Sequence, residues 1–363
     1  MAKLLKDLYN EEYIKLLSSN ISSTYPLFES EKFTQKIFNK QWPNLALKQR
    51  MRHISTTLAY FLPQEYIKAI DILKQTFYKM GDVYMLENMI FQDFVEVYGL
   101  EQFEISIAAL EVFTINSSSE FAIRQFILQD TKRTIDQMLV WSQSKNEHIR
   151  RLASEGCRPR LPWAVSLPVF KKDPHLILAI LEQLKDDEST YVRKSVSNNL
   201  NDISKDHPKI VINLTKSWIG VSKTRDALLK HGCRTLLKAS NKEVLELFGF
   251  SKPSNIYFKN FVYTQKLKIG EDLEFSFDLE SDKSLGKLRV EFNLQLLRKN
   301  KKHNSKIFKI SEFQTQDKLK SISKKYSFKP ITTRVYYQGL QKLSIIINGV
   351  VFKEVEFILT HSS

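Results

Sequence analysis

Up to about Gly249, apolar residues recur at spacings of three and four along the chain. YIKAIDILKQTFYKM (66–80) and EISIAALEVF (104–113) show the pattern most plainly, and it predicts amphipathic helices. Short polar stretches at 116–119, 144–146, 185–189 and 222–224 predict the turns between them. Two of these, Ser117-Ser118-Ser119-Glu120 and Ser144-Lys145-Asn146-Glu147, have the form of capping boxes. Beyond Pro253 the period changes to two. LEFSFDL (273–279) and LRVEFNL (288–294) alternate strictly, as half-buried strands do. IIINGVVF (345–352) is a hairpin signal, because Asn-Gly suits the type I′ turn between twisted strands. Val355, Phe357 and Leu359 then mark a last strand.

An internal echo organises the helical half. IRRLAS (149–154) returns as VRKSVS (192–197) and more loosely as TRDAL (224–228), at intervals of 43 and 32 residues. These bracket the ~40 residues of HEAT-type helical pairs, which stack into a solenoid with a long concave face. The pattern therefore predicts an all-α helical-repeat solenoid over residues 1–250. Residues 251–363 are expected to form a small all-β sandwich of six or seven strands.

Charge then narrows the partner. The 363 residues carry 55 Lys/Arg against 40 Asp/Glu, a formal +15. Residues 251–363 hold 21 basic and 11 acidic side chains, so this smaller part supplies +10 of the excess. A field of that sign concentrated on one segment points to a polyanion. No apolar run reaches the roughly 18 residues of a membrane span, and MAKLLKDLYN is not read as a secretory leader. Cys157 and Cys233 are the only cysteines, too few for a disulfide framework, so a reducing cytoplasm is expected. There is no glycine-rich phosphate loop, nucleophile elbow, HExxH or CxxC, and the seven histidines lack metal-ligand spacing. Neither a metal nor a cofactor is expected.

Candidate chemistry lies on the repeated helices. Arg151, Glu155 and Arg158 share one face, and RPRLPWA (158–164) then stiffens the chain up to Trp163. Lys194, Asn198 and Asp202 share the corresponding face of the next repeat, with Lys205 one turn on; Lys230, Arg234 and Lys238 form a basic stripe in the third. Arg151, Arg158, Arg160, Lys194, Asn198, Lys205 and Arg234 are the expected contacts to DNA phosphates. Each residue also has a plain structural role available. Arg150 and Arg193 occupy the repeat's arginine position and suit intrarepeat ion pairs. Glu120 can close a capping box, Glu155 and Asp202 can neutralise neighbouring cations, and Trp163 can be core. What favours function is the conjunction: acids set within basic faces serve no purpose in a purely electrostatic DNA binder.

IRRLASEGCRPRLPWA (149–164), VRKSVSNNLNDISKDHP (192–208), HGCRTLLK (231–238) and SSSEFAIR (117–124) resemble the AlkC branch of the bacterial alkylpurine DNA glycosylases. The resemblance spans essentially the whole chain, with Cys157 standing where the family often has a small polar residue. It implies a HEAT-like domain followed by an immunoglobulin-like domain that grips the DNA backbone. It also implies base excision repair: hydrolysis of the N-glycosidic bond of N3-alkylated, cationic bases such as 3-methyladenine and 3-methylcytosine, without full base flipping. By motif position, Glu120, Glu155 and Trp163 face the lesion with Asp202 beside them, and the roles of the two glutamates stay undivided. The expected partner is duplex DNA containing alkylated bases, bound by a monomer in the bacterial cytoplasm at the nucleoid. The runner-up reading is a catalytically inactive helical-repeat scaffold that binds DNA.

Overall fold

The computed structural model describes residues 4–331 and 334–361. Among these residues, sixteen α-helices run from Glu11–Thr24 to Lys242–Leu247, and eight strands follow from Tyr257 onward. No helix is long and apolar enough to cross a membrane. By contact density the chain forms two compact units, Met1–His207 with Ser222–Gly232 and Pro208–Val221 with Cys233–Ser363. The last short helices are thus grouped with the strands.

The echoed motif marks equivalent helices: Glu147–Gly156, Thr190–Ile203 and Lys223–Gly232. The first packs on the second and the second on the third. Their apolar residues, Ile149 and Leu152, Val192, Val196 and Leu200, Leu228 and Leu229, are buried. Polar groups fix the fit as well. Ser154 Oγ lies 2.7 Å from Ser195 Oγ, and Asn199 Nδ2 donates to the Ser154 carbonyl at 2.9 Å. Both repeated arginines bind turns, Arg150 through an ion pair as expected and Arg193 through backbone carbonyls instead. Arg150 clamps Asp187 (Nε–Oδ2 2.6 Å, Nη2–Oδ1 3.0 Å), and Arg193 donates to the carbonyls of Asp187 and Glu188 at 2.5 and 2.8 Å.

Gly156 closes the first of these helices because nothing larger fits. A Cβ there would sit 2.7 Å from Ile123 Cγ2 and 3.1 Å from Met138 Cε. Overpacking a core costs about 1–3 kcal/mol, more than the up to ~1 kcal/mol of helix propensity that alanine returns. Gly156→Ala is therefore expected to lower the melting temperature, read by circular dichroism; an unchanged or higher value would mean that the Ile123 side yields without cost.

In the second unit, β1 (Tyr257–Tyr263), β3 (Asp272–Glu280) and β6 (Leu319–Ser327) form one sheet in the order β1-β3-β6. The other comprises β2 (Lys266–Lys268), β4 (Gly286–Leu297), β5 (His303–Thr315), β7 (Gly339–Ile347) and β8 (Val350–Thr360), in the order β2-β8-β7-β4-β5. All pairings are antiparallel except β2 with β8. The alternating residues meet as the sequence pattern requires. Leu273, Phe275, Phe277 and Leu279 of β3 share a core with Leu288, Val290, Phe292 and Leu294 of β4. Asn348 and Gly349 turn the β7–β8 hairpin with φ of 44° and 79°, the pair of positive angles a type I′ turn demands.

Candidate active site

Two capping expectations change in the structure. Glu120 precedes the Ile123–Gln129 helix, whose N-cap, Ala122, makes no side-chain cap, so the 117–120 box does not form. The serines turn inward instead: Ser119 Oγ donates to the Leu110 carbonyl at 2.8 Å, and Ser118 Oγ donates to Glu120. Glu120 is thereby released from helix duty and aimed at the Glu147–Gly156 helix. That helix is capped by Asn146, which accepts from the His148 amide at 2.8 Å, while Ser144 accepts from the Asn146 amide.

From Glu120 onward, acids and bases alternate. Arg151 Nη1 donates to Glu120 and to Ser118 Oγ (2.7 Å), and Arg151 Nη2 lies 3.6 Å from Glu155 Oε1. The same Glu155 oxygen accepts from Arg158 Nη1 at 2.6 Å. Arg158 Nε in turn donates to Asp202 Oδ2 at 2.9 Å, and Lys205 Nζ meets the other Asp202 oxygen at 2.9 Å. Three carboxylates and three cations thus form one continuous chain across three segments of the fold. Glu155, Arg158 and Asp202 are buried; Glu120 and Arg151 are slightly more open.

Electrostatics follow from that burial. Desolvation raises the Glu120 carboxyl above the ordinary glutamate range; Arg151 pulls it down and Glu155 pushes it back up. Burial opposes the charge of Arg151, but Glu120 and Glu155 outweigh it and the guanidinium is more basic than usual. Arg158 behaves likewise between Glu155 and Asp202. Both guanidinium groups, expected from sequence to meet phosphates, are paired with carboxylates in this structure.

Two tyrosines border the Glu120 end. The Arg151 guanidinium carbon lies 5.0 Å from the Tyr191 ring centroid, and burial pushes that phenol up to about 12. Tyr84 is about half exposed; burial raises its phenol too, with Glu120 adding to the effect and Arg151 opposing it. Neither tyrosine was singled out from sequence, since a lone tyrosine in a helix or a loop carries no local signal.

Trp163 is not core. It is 67% exposed and holds φ of 65°, a left-handed angle that costs an L residue about 1–2 kcal/mol. Surrounding contacts impose it. Lys48 Nζ donates to the Trp163 carbonyl at 2.9 Å and stands 4.7 Å from the ring centroid of Phe121, the neighbour of Glu120. The wholly buried Arg124 donates to the carbonyls of Val165 (2.6 Å), Gly156 (2.9 Å) and Arg158 (2.8 Å). Burial lowers that guanidinium to about 10, because it serves the loop backbone rather than an acid. Strain held in place by buried contacts marks functional loops more often than idle ones. Lys48 and Arg124 were not assigned such work from sequence; both act across large separations in the chain.

The remaining expected DNA contacts divide. Lys194 is exposed, and the Oδ1 of Asn198, partly buried, accepts from His231 Nε2 at 3.2 Å. Arg160 is held by Asp206, with Nη2–Oδ1 at 2.8 Å. Lys205 is partly exposed beyond its contact to Asp202. The basic stripe of the third repeat is interrupted. The helix carrying Lys230 ends at Gly232, Cys233 takes φ −85° and ψ 6°, and a new helix starts at Arg234, so the three cations do not share one continuous helix face. Cys157 is buried and its thiol is pushed up to about 12 by that burial, as befits a packing residue. A cavity of about 430 Å³ lined by Lys48, Arg52, His53, Asp93 and Glu96 contains none of the chain carboxylates; it shares only Lys48 with the Trp163 loop. Among the described residues, no group of three His, Cys, Asp or Glu is arranged to hold a metal ion.

Comparison with known proteins gives concordant matches. Residues 90–251 match the family model described as DNA alkylation repair enzyme, and residues 259–361 match the C-terminal Ig-like domain of the uncharacterised protein YhaZ. The uncharacterized protein YhaZ of Bacillus subtilis (strain 168) is 44% identical over 355 residues, covering 97% of this chain and 98% of that one. The Pseudomonas fluorescens alkylpurine DNA glycosylase AlkC, solved bound to DNA containing an abasic site analog, is 34% identical with a TM-score of 0.92. The match covers 99% of this chain and all (100%) of that one.

Proposed function

Since the chain belongs to the AlkC branch of the DNA alkylation repair enzymes, we propose that it hydrolyses the N-glycosidic bond of N3-alkylated, cationic bases in duplex DNA. 3-Methyladenine and 3-methylcytosine are the substrates that fit this chemistry. The observation that carries the reading is the carboxylate–guanidinium chain that begins at Glu120, whose sequence neighbour Phe121 lies 4.7 Å from the same Lys48 ammonium that holds the carbonyl of exposed Trp163.

An N3-alkylated base already carries a positive charge, so it departs as a neutral molecule when the C1′–N bond breaks and the bonding electrons stay with the base. No strong general acid is required, and none is offered. What the step needs is stabilisation of the sugar as it becomes oxocarbenium-like, and a water placed to form the new C1′–O bond. Glu120 and Glu155 supply the negative field in a largely desolvated setting, with Asp202 behind them. Glu120, with the raised carboxyl, takes the proton of the attacking water and passes it to solvent. Trp163 lays its indole against the cationic nucleotide, an interaction worth roughly 0.5–2 kcal/mol. Arg151 and Arg158 hold the carboxylates in place rather than touching DNA. The exposed Lys194 and the basic second unit supply backbone contacts, and binding proceeds without full extrusion of the base.

Incubation of the protein with methylated duplex DNA, followed by chromatography of the freed bases, tests the reading. Release of 3-methyladenine or 3-methylcytosine is the expected result. Salt-sensitive binding without release would instead identify a DNA-binding scaffold.

Trp163 gives a second test in which stability and activity move apart. Trp163→Gly relieves the left-handed strain of about 1–2 kcal/mol, offset by the ~0.4–1 kcal/mol of extra chain entropy glycine loses on folding. The variant is expected to melt at or slightly above the wild-type temperature while releasing base more slowly. A variant that melts well below wild type would make Trp163 a packing residue.

A further inference from the structure

Lys48 is the second residue of the Leu47–Phe61 helix, the wrong end for a cation. The first turn of that helix holds no acidic residue, and a positive charge there opposes the helix dipole. Helix stability therefore gives no reason for a lysine at this position. Its ammonium is engaged instead with two distant segments: it donates to the Trp163 carbonyl at 2.9 Å and lies 4.7 Å from the Phe121 ring centroid. Glu96, which lines the same cavity, supplies an opposing charge. Burial raises that carboxyl, Arg52 draws it back down, and Lys48 adds to the lowering.

The segment that Lys48 holds is a strained turn. The Ala164 amide donates to the Leu161 carbonyl at 3.3 Å, so Leu161-Pro162-Trp163-Ala164 closes on itself. Proline suits the second place of such a turn. The third, with φ of 65°, belongs by preference to glycine or asparagine. A tryptophan there displaces the residue that would keep the turn unaided. Arg124 fastens the backbone on either side, through the carbonyls of Gly156 and Arg158 before the turn and Val165 after it. Between those fixed points the carbonyl of Trp163 itself is left to Lys48.

We propose that Lys48 is a positioning residue for the reaction: its hydrogen bond fixes the Trp163 carbonyl, and with it the direction of the indole, against the segment that carries Glu120. The inference rests on the reading of Trp163 as the side chain that meets the lesion nucleotide. In this role Lys48 touches neither DNA nor the departing base, and the Phe121 ring keeps its ammonium over the turn. Its contribution is geometric, holding one reacting partner where the chemistry needs it.

Lys48→Met keeps the length of the stem and removes the donor, whereas Lys48→Arg keeps both a donor and a cation. Hydrogen exchange of the full chain without DNA, followed by mass spectrometry, reads the loop directly. Lys48→Met should speed exchange across residues 159–167, where the Ala164 and Leu167 amides are bonded within the loop, and Lys48→Arg should stay near wild type. Unchanged exchange in Lys48→Met would overturn the proposal. Single-turnover release of methylated base should slow by up to about 30-fold in Lys48→Met, the most that an indole–cation contact supplies. It should recover in Lys48→Arg, with an unchanged melting temperature and unchanged affinity for undamaged duplex. Release at the wild-type rate would overturn the role. Weaker duplex binding, with the plot of log Kd against log salt shallower by about 0.9, would make Lys48 a phosphate contact and overturn it equally. Added to Trp163→Gly, Lys48→Met should slow release no further; multiplied losses would show that it does not act through Trp163. A wild-type chain that frees no base would remove the proposed activity, while the exchange result would still decide whether Lys48 holds this loop.

Discussion

Glu120→Gln is expected to slow single-turnover release of 3-methyladenine by roughly 10²–10³-fold, the usual cost of removing one preorganised electrostatic group from a dry site. Glutamine keeps the shape and still accepts from Ser118 and Arg151. What it loses is the charge facing the developing sugar cation and the capacity to take a proton from water. The fold should be little affected, since Arg151 retains Glu155 at 3.6 Å. A Glu120→Gln protein that releases base at the wild-type rate would remove this carboxylate from the chemistry.

The pH dependence of the same reaction gives an independent reading. Glu120 must be ionised to act, and burial holds its carboxyl above the ordinary glutamate value. Single-turnover rates should therefore fall on the acid side of a midpoint lying above that ordinary value, and Glu120→Gln should abolish this limb while remaining slow. An acid limb that persists in the variant would belong to another group.

Much of this was legible in the sequence because periods of three-to-four and of two report directly which faces are buried. Leu273 to Leu279 and Leu288 to Leu294 point into one core as their alternation requires. The repeated arginine also behaves as its position suggests, with Arg150 on Asp187. Partner choice across the fold was not legible. Arg151 and Arg158 share a helix face with Glu155, yet whether they meet phosphates or acids depends on where Glu120 and Asp202 arrive, 31 and 44 residues away in the chain. Nor does a tryptophan after two prolines reveal its exposure. Trp163 stands out because Lys48 and Arg124 grip its loop, and no local pattern encodes those contacts. The Ser117–Glu120 string failed as a capping box for a related reason: Ser119 found the Leu110 carbonyl, a tertiary acceptor.

Arg158→Met should be the most destabilising single change in the site. Arg158 touches two buried carboxylates, Glu155 at 2.6 Å and Asp202 at 2.9 Å. Removing one partner of a buried ion pair costs about 3–5 kcal/mol, because the orphaned charge stays desolvated. Lys205 remains on Asp202 and Arg151 near Glu155, so the lower end is expected, about 3 kcal/mol. In a unit of this size that corresponds to a fall in Tm of roughly 6–12 °C. If orphaned charge is the cause, adding Asp202→Asn to Arg158→Met should restore part of the loss, although Asp202→Asn alone destabilises. Simple addition of the two losses would mean that Arg158 acts through packing.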